Sequence, residues 1–502
     1  MESHMGLPKD RSQFVGQAVK AVESRLGPSA SSRSRLLPRR PKAASPEARS
    51  FPKWVMFDTE IYVEDPQSFC EDDPETPSAR SRDSNGDDVL VSLRLVAPPG
   101  ASHLRLHYSR EEEAKMLNGT ALVAAHLDSV LFRVVPPSSP INPFNSWCCY
   151  TDYFVCKAGP SGMSIYGPLP PCYKDAQRMA AQGHAQRSHM LDVRDIGLLR
   201  RGEDFAVADL KVLMPRDSSS EPKEAELFRY RSNALTPQWE VKRILICQSD
   251  DKDHGLRWWT TDKVVSFEGN LCWIDYHRGI LFCDVFDDDP QLQYAELPVE
   301  PPKGDPTHPE FGRAHPYVTR SLCVIEGGTL MFVNVTRADG EIASKRKLGS
   351  GFTITCWSLG TPLSSKSIGW VKEGAMEAGE IWSQYPIFDP HIPCLSPEFP
   401  FVSLNEHSII YALLCEREYA AGRTWVLVID IKRKKLELVI PYNDVNSSCE
   451  DTLVLEDILI NWPLLPSPLE TSMVFSNSRM LWKTHVLNMA HLAYNASSRH
   501  QL

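Results

Sequence analysis

An all-β fold is what this sequence predicts: a β-propeller of about six blades, with five to seven compatible, behind a disordered N-terminal arm. Three observations predict it. A strand ending recurs, as VMFDTEI at Asp58, AVADLKV at Asp209, LFCDVFD at Asp284 and LVIDIKR at Asp430, with looser copies LFRVVPP at Arg133 and TCWSLGT at Ser358. These positions follow one another in steps of 72–76 residues, and a near-constant period is the mark of a repeat architecture. Second, from Phe51 to about Tyr442 the chain reads as short apolar runs bounded by Gly, Pro, Asp or Asn, the pattern of strands and turns. Third, Pro is abundant, at 39 residues, and falls in pairs at Pro98-Pro99, Pro136-Pro137, Pro170-Pro171 and Pro301-Pro302, which interrupt regular structure.

Taken in order, residues 1–50 hold ten Lys and Arg against four Asp and Glu, with SSRSRLLPRRPKAASPEARS as their last stretch. That composition predicts a disordered basic arm. A transit peptide is the alternative, and Gln13–Leu26 could form a short helix. Strands are predicted at Trp54–Tyr62, Val89–Val96, Ser129–Val135, Phe205–Leu213, Trp239–Ile246, Leu271–Asp275, Ile280–Phe286 and Leu292–Leu297. They continue at Leu322–Ile325, Thr329–Val335, Phe352–Leu359, Ser408–Cys415, Trp425–Ile431 and Leu436–Ile440. The clearest unit is Gly269–Pro298: LCWID, the turn YHRG, ILFCDVF, the acidic turn DDDPQ, then LQYAELP. Ile280–Cys283 is apolar on both faces, as expected of a strand in a sheet sandwiched between sheets. WVLVIDI, the basic turn KRKK and LELVIPY copy that order near Tyr442. The two turns differ in sign, so solvation is expected to be their role.

The period exceeds the ~40–50 residues of common blades. The surplus is assigned to long loops at Pro136–Trp147, Pro171–Leu191 and Glu300–Pro316, where binding surfaces tend to sit. Residues 51–442 thus form the repeat domain, and residues 443–502 a C-terminal extension. Within the extension, Thr452–Pro463 is a candidate closing strand and Ser472–Tyr494 a candidate helix. Alternatively Trp54–Val63 joins C-terminal strands to close the ring.

A net charge of -10 weighs against nucleic acid as the main partner, because phosphate binding needs a basic surface. The 13 Cys are dispersed with no paired CxxC spacing, which points to reduced thiols in the cytoplasm or nucleus. A plastid or mitochondrion is the alternative if the arm is a transit peptide. Cys247, Cys283, Cys323, Cys356 and Cys415 lie in apolar runs, where Cys acts as a small hydrophobe. Sequons begin at Asn118, Asn334, Asn446 and Asn495; with no secretory signal evident they are expected to be chance. No apolar run approaches the ~18–20 residues of a membrane span.

Several segments together resemble a plant family expanded in grasses and known by its domain of unknown function, number 1618. They are FPKWVMFD at Phe51–Asp58, VSLRLVAPPGASHLRLH at Val91–His107 and GNLCWIDYHRGILFCDVFDDDPQLQYAELPVEPP at Gly269–Pro302, followed by FTITCWSL at Phe352–Leu359 and FPFVSLNEHSIIYALL at Phe399–Leu414. The resemblance implies kinship with the propeller-like domains that follow F-boxes in plant proteins. It brings no activity and no catalytic residues, and this chain shows no F-box.

Motifs of nucleophile elbows, phosphate-binding loops, dinucleotide folds and zinc proteases are absent from the sequence. Cys148, Cys149, Cys156 and Cys172 lack zinc-like paired spacing. Cys272 and His277 flank a turn in which the histidine reads as exposed. Asp287-Asp288-Asp289 is followed at once by Pro290 and does not match a calcium loop; a solvated turn is the preferred reading. Lys432–Lys435 and Glu71-Asp72-Asp73 read likewise as charged loops. The recurring Asp58, Asp209, Asp284 and Asp430 could converge as channel carboxylates. The preferred role is structural, each accepting hydrogen bonds from turn amides.

The expectation is therefore a non-enzymatic, monomeric protein-interaction scaffold with a protein partner and no membrane. No catalytic, cofactor-binding or metal residues are assigned. The alternatives are a hydrolase using carboxylates in a propeller channel and a nucleic-acid-associated regulator acting through the basic arm.

Overall fold

A computed structural model describes residues 54–70, 76–96, 98, 101–107, 120–136, 151–159, 162–172, 191–215, 222–247, 256–299, 315–340, 348–362, 369–416, 424–442 and 464–468. The fold is all-β, and among the described residues the helical pieces are short.

The sheet nearest the N-terminus contains β1 (Trp54–Asp58), β2 (Tyr62–Glu64), β3 (Ser78–Arg82), β4 (Asp88–Arg94) and β5 (Ala101–His107). Strands β3, β4 and β5 form an antiparallel meander, and β5 takes β1 and β2 in parallel. The free edge of β1 pairs with a strand from the far end of the chain, Leu464–Pro468, with Trp54 opposite Pro468 and Asp58 opposite Leu464.

Five antiparallel meanders of four strands follow. The first is β6 (Ala121–His126), β7 (Ser129–Val134), β8 (Asp152–Gly159) and β9 (Gly162–Tyr166). The second is β10 (Ile196–Arg201), β11 (Asp204–Val212), β12 (Glu224–Arg231) and β13 (Trp239–Cys247). The third is β14 (Lys263–Phe267), β15 (Asn270–Asp275), β16 (Gly279–Cys283) and β17 (Leu292–Glu296). The fourth is β18 (Arg320–Ile325), β19 (Thr329–Arg337), β20 (Phe352–Leu359) and β21 (Trp370–Glu377). The fifth is β22 (Glu398–Val402), β23 (Ile409–Cys415), β24 (Thr424–Asp430) and β25 (Lys435–Tyr442), and Leu464–Pro468 is β26. Between β21 and β22 the chain forms two helical turns, α1 (Ala378–Trp382) and α2 (Tyr385–Phe388).

First strands of successive meanders adjoin: β6 lies by β10, β10 by β14, β14 by β18, and β18 by β22, while β26 lies by β6. Burial follows position within each meander. Strand β16 is buried at every residue, whereas the fourth strands β9, β13 and β17 show repeated exposure. An inner strand covered on both sides must be apolar on both faces; an outermost strand need bury only one.

The apolar cores lie between sheets. One joins the sheet of β1 to β6–β9, another joins β6–β9 to β10–β13, and a third joins β10–β13 to β14–β17. The largest runs through the sheets from β14 to β25 and includes Met56. Because side chains alternate along a strand, β1 sends Val55 and Phe57 into the core shared with β6–β9 and Met56 into the core of the last meanders.

Tight turns link the strands. Glu268 (φ 47°) and Gly269 (φ 74°) close the β14–β15 hairpin, both in the left-handed region that a type I′ hairpin turn requires. Gly279 faces a different constraint: a Cβ there would lie 2.3 Å from the Ala295 carbonyl oxygen across the β16–β17 pair.

Indoles stitch neighbouring sheets at equivalent places. Trp239 opens β13 and donates to the Pro170 carbonyl at 2.6 Å; Trp370 opens β21 and donates to the Glu296 carbonyl at 2.8 Å. Trp370 reaches the last residue of β17, and Trp239 the segment that follows β9, each in the preceding meander.

The structure departs from the sequence reading in several places. The strand from Trp54 stops at Asp58, and that from Ile280 stops at Cys283, because Asp58 and Asp284 turn the chain. The recurring strand endings do not mark one equivalent strand. Asp58, Arg133 and Asp209 lie on the second strand of their sheets, counting β26 as the first of its own; Asp284, Ser358 and Asp430 lie on or just after a third strand. The loops Pro136–Trp147, Pro171–Leu191 and Glu300–Pro316 fall almost wholly outside the described residues. The arm at residues 1–50 and the segments Thr452–Pro463 and Ser472–Tyr494 fall wholly outside them.

Candidate functional site

The first strands begin beside one another, and their starting ends carry a belt of buried and half-buried charge, with Arg194 at its exposed rim. The chain enters β10 through Asp192, Arg194 and Asp195. Opposite, β11 offers Asp209, fully buried and paired in register with Ile196, and then Lys211. The Lys211 ammonium binds the Asp195 carboxylate and lies 3.6 Å from Asp209. Burial pushes the Asp195 carboxyl up to about 6 against the attraction of Lys211. Burial also works against the Lys211 charge, but Asp209, Asp195 and Asp192 outweigh it and hold the amine above its usual range. Asp192 stays below the usual carboxylate range, because the Arg194 amide and side chain overcome its desolvation.

The belt continues into the neighbouring sheets. Trp273 on β15 donates to the Asp195 carbonyl at 2.7 Å. Asp275, at the end of β15 and fully buried, accepts the amides of Thr260 at 3.1 Å and His277 at 2.9 Å, and the Arg278 guanidinium at 3.0 Å. Asp262 accepts the Tyr276 amide at 2.8 Å. Arg320, which opens β18, donates to the Tyr276 carbonyl at 2.6 Å and to Asn334 at 3.3 Å. Burial pulls Arg320 down to about 10 and Lys263 down to about 8. On the other side, burial lifts the Tyr153 phenol to about 12, and Tyr153 donates to the Leu191 carbonyl at 3.2 Å.

Chemically the belt holds itself together. Its acids are answered by amides, guanidinium groups or Lys211, which is how a low-dielectric interior tolerates charge.

The recurring aspartates divide. Asp58 accepts the Glu60 amide at 3.0 Å, Asp284 the Phe286 amide at 2.9 Å, and Asp430 the amides of Lys432 and Arg433 at 3.0 Å. These are turn-capping contacts. Asp209 instead sits within a strand and belongs to the belt. Asp275 does what Asp58 does on the equivalent second strand. Its motif LCWID ends on an Asp after an apolar run, as VMFD does, but Asp275 falls outside the period that includes Asp284.

Other singled-out residues also find definite surroundings. His277 is buried, at 2% exposure, not an exposed turn residue, and its Nδ1 lies 3.5 Å from the Arg320 guanidinium. The acidic turn is not merely solvated. Arg229 donates to the carbonyls of Val285 (3.0 Å) and Asp287, and Arg231 pairs with Asp288 at 2.9 Å. The basic turn is likewise matched: Lys432 pairs with Glu373 at 3.4 Å, Arg433 with Asp430 at 3.3 Å, Lys434 with Glu380 at 2.6 Å and Lys435 with Glu437 at 2.7 Å. The sign of each turn suits the element it touches.

Cys156, Cys172, Cys272, Cys283, Cys323, Cys356 and Cys415 are buried thiols, while Cys247 is exposed at the end of an outer strand. Burial raises the Cys172 thiol to about 12 and the Cys323 thiol to about 11, so neither supplies a reactive thiolate near neutrality. Asn334 is buried and donates to Thr336 at 3.0 Å, unlike a glycosylation acceptor. Cys148, Cys149, Asn118, Asn446, Asn495 and Glu71–Asp73 lie outside the described residues. Among the described residues, no group of three or more His, Cys, Asp or Glu is placed to hold a metal ion, and no helix is long and apolar enough to cross a membrane.

The family model described as "Protein of unknown function (DUF1618)" matches residues 273–411, from within β15 into β23. That match supports the family resemblance over this segment. No curated protein matches the chain. Among solved structures, a family 117 glycoside hydrolase from the marine bacterium Zobellia galactanivorans is similar at 8% identity and a TM-score of 0.27, over 75% of this chain and 90% of that one. The GDP-Man-dependent mannosyltransferase MPT-1 from Leishmania mexicana is similar at 13% identity and a TM-score of 0.19, over 65% of this chain and 81% of that one.

Proposed function

We propose that this chain is a non-enzymatic scaffold for protein interaction, with its sheets arranged as the six blades of a propeller. The observation that carries the functional reading is the commitment of the buried charge. The acids of the belt hold turns and neighbouring strands through Lys211, Arg278 and backbone amides, and Arg320 is held by the Tyr276 carbonyl. A group that acts as catalytic acid or base must be within reach of a substrate proton, and these carboxylates are engaged inside the fold.

Three features support the propeller. Six units follow one another in chain order, counting β26 and β1–β5 as one and the eight-stranded sheet β10–β17, whose two meanders are joined by parallel pairing of β13 with β17, as two. Their first strands adjoin in sequence, and β26 comes back beside β6. Strand β1 contributes to the core of the second sheet on one face and to that of the last sheets on the other. Closure by one strand from each end of the chain removes an exposed sheet edge. On this reading the protein is a monomer of the cytoplasm or nucleus, where its thiols stay reduced.

Proximity labelling in the native tissue tests the functional reading, because it reports partner and compartment together. A reproducible, specific set of protein neighbours is expected. Their absence, together with turnover of a glycoside or ester panel that Asp195→Asn abolishes, would transfer the assignment to the hydrolase reading. Small-angle scattering tests the architecture: a flattened ring is expected, and a two-lobed profile would refute it.

A further inference from the structure

Seven Ser-Pro or Thr-Pro steps occur in the chain, at Ser45, Thr76, Ser139, Thr236, Thr361, Ser396 and Ser467. Such a step has a definite local shape. Proline has no N–H to donate and holds its own φ near about −65°, and it favours an extended backbone at the residue before it. An extended hydroxyl residue followed by a position without an amide donor is what a proline-directed protein kinase accepts. The step is usable only where hydroxyl and proline both reach solvent, so the fold selects among the seven.

Ser45 and Ser139 lie outside the described residues. Four of the other five are occupied by the fold. Thr76 is half-buried and precedes a buried Pro77, whose carbonyl accepts the Leu93 amide at 2.8 Å. Ser396 is buried, and Pro397 is buried with it. Ser467 lies within β26, in register with Val55 of β1. Thr361 is half-buried, and its hydroxyl accepts the Gly369 amide at 3.0 Å.

Thr236 differs from all four. It lies in the connection of residues 232–238 between β12 and β13. Leu235, Thr236, Pro237 and Gln238 are all exposed, Leu235 wholly so. Among the described residues, none hydrogen-bonds the Thr236 hydroxyl. The base of the connection is nevertheless fixed. The Ser232 amide donates to the Phe205 carbonyl at 2.9 Å, and the Ser232 hydroxyl accepts the Phe205 amide at 2.8 Å. On the other side Trp239 pairs in register with Tyr230 and donates to the Pro170 carbonyl at 2.6 Å. An anchored base with an uncovered tip can present these four residues to an enzyme cleft without disturbing the sheet.

We propose that Thr236 is a phosphorylation site, modified by a proline-directed protein kinase with ATP as the phosphoryl donor. The Thr236 oxygen bonds to the γ-phosphorus as the bond from that phosphorus to the bridging oxygen of the β-phosphate breaks. ADP leaves, and the hydroxyl proton passes to the carboxylate base of the kinase. The product places a charge of about −1.5 to −2 on the tip. Arg231, the nearest cation along the chain, already pairs with Glu240 at 3.2 Å and with Asp288 at 2.9 Å, so the phosphate faces solvent. This site goes beyond the scaffold reading and does not depend on it.

The test incubates the full chain with a purified proline-directed kinase, magnesium and ATP, and maps the phosphate by mass spectrometry. A synthetic peptide of residues 230–242 is treated alongside. Thr236 in the folded chain should be modified at a rate close to that of the peptide. Pro237→Ala keeps the acceptor and should slow the reaction at least about tenfold, the discrimination a pocket gains from one missing contact. Thr236→Ser should remain a substrate, and Thr236→Ala should lose this phosphate. Thr76 and Ser396 should stay unmodified, and the thermal midpoint of the phosphorylated chain should match that of the unmodified one. A folded chain that resists the kinase while the peptide is modified would mean the tip is covered, and would overturn the site. Modification that ignores Pro237→Ala would do the same, as would a kinase that modifies neither chain nor peptide. Phosphate at Thr76 or Ser396 as fast as at Thr236 would overturn selection by exposure.

Discussion

Replacing Arg229 by Met should cost the fold about 3 kcal/mol. Arg229 lies on β12 with a fully buried side chain, opposite Glu240 on β13. Its guanidinium contacts Glu240 at 3.0 Å, the Val285 carbonyl at 3.0 Å and the Asp287 carbonyl. It therefore bonds its own meander to the next one, whose β16–β17 turn it grips beside the β13–β17 pairing. Methionine can fill much of the volume but makes none of these bonds. Removing one partner of a buried pair costs roughly 3–5 kcal/mol when the other charge is stranded. Glu240 is not stranded. Its side chain is 32% exposed and Arg231 remains 3.2 Å away, so the lower end of that range applies. Urea titration followed by tryptophan fluorescence measures the loss. In the double variant with Glu240→Gln, the cost should fall short of the sum of the single costs, because the two side chains interact directly. A loss below about 1 kcal/mol, the worth of an exposed ion pair, would refute the idea that this arginine fastens the acidic turn.

Three further outcomes are expected. Trp370→Phe should cost about 1 kcal/mol in the same titration, the net worth of its bond to the Glu296 carbonyl; no change would mean that the indole does not hold the two sheets together. Gly279→Ala should cost about 3 kcal/mol, since the new Cβ meets strand backbone that cannot retreat, while Gly351→Ala, whose Cβ would only touch Ala338 at 3.6 Å, should stay within about 0.5 kcal/mol; equal costs would discount the close approach. His126 is held down to about 4 from 6.5, first by burial and then by Arg200, and its Nδ1 accepts the Arg200 amide at 2.9 Å. The unfolded chain therefore binds the extra proton between those values, so this contribution is intact above pH 6.5 and drains away as pH falls towards 4. Discounted for partial exposure, it amounts to about 2 kcal/mol. The stability gap between wild type and His126→Asn should narrow by that amount between pH 7 and pH 4 in urea titrations, and a constant gap would exclude the mechanism.

The strands easiest to find from sequence were those covered on both sides. NLCWID and GILFC are nearly continuous apolar runs because β15 and β16 have a sheet on each face. Strands β3, β12 and β21, reading SARSR, EAELFRYR and WVKEGAME, gave no such signal. In β12 the basic residues are Arg229 and Arg231, whose partners come from β13 and from a turn in the next meander. A side chain that is polar for the sake of a neighbour more than fifty residues away breaks the local pattern. His277 departs from its sequence expectation for the same reason: a histidine in a turn is exposed unless another sheet covers it, and here Arg320 of β18 lies against it.

The amino-acid order alone determined that the chain is built from short strands, where most inner strands lie, and that Asp58, Asp284 and Asp430 cap turns. These follow from interactions within a few residues, where hydrophobic period and side-chain-to-amide geometry suffice. Only the tertiary structure decided that Asp209 joins a charged belt rather than a turn, that Asp275 caps one, that the acidic and basic turns are fastened to opposite charges, and that β1 pairs with Leu464–Pro468. Each of those depends on which distant segments meet. Proximity in space, not along the chain, sets both the cost of burying a charge and the partner that makes burial tolerable.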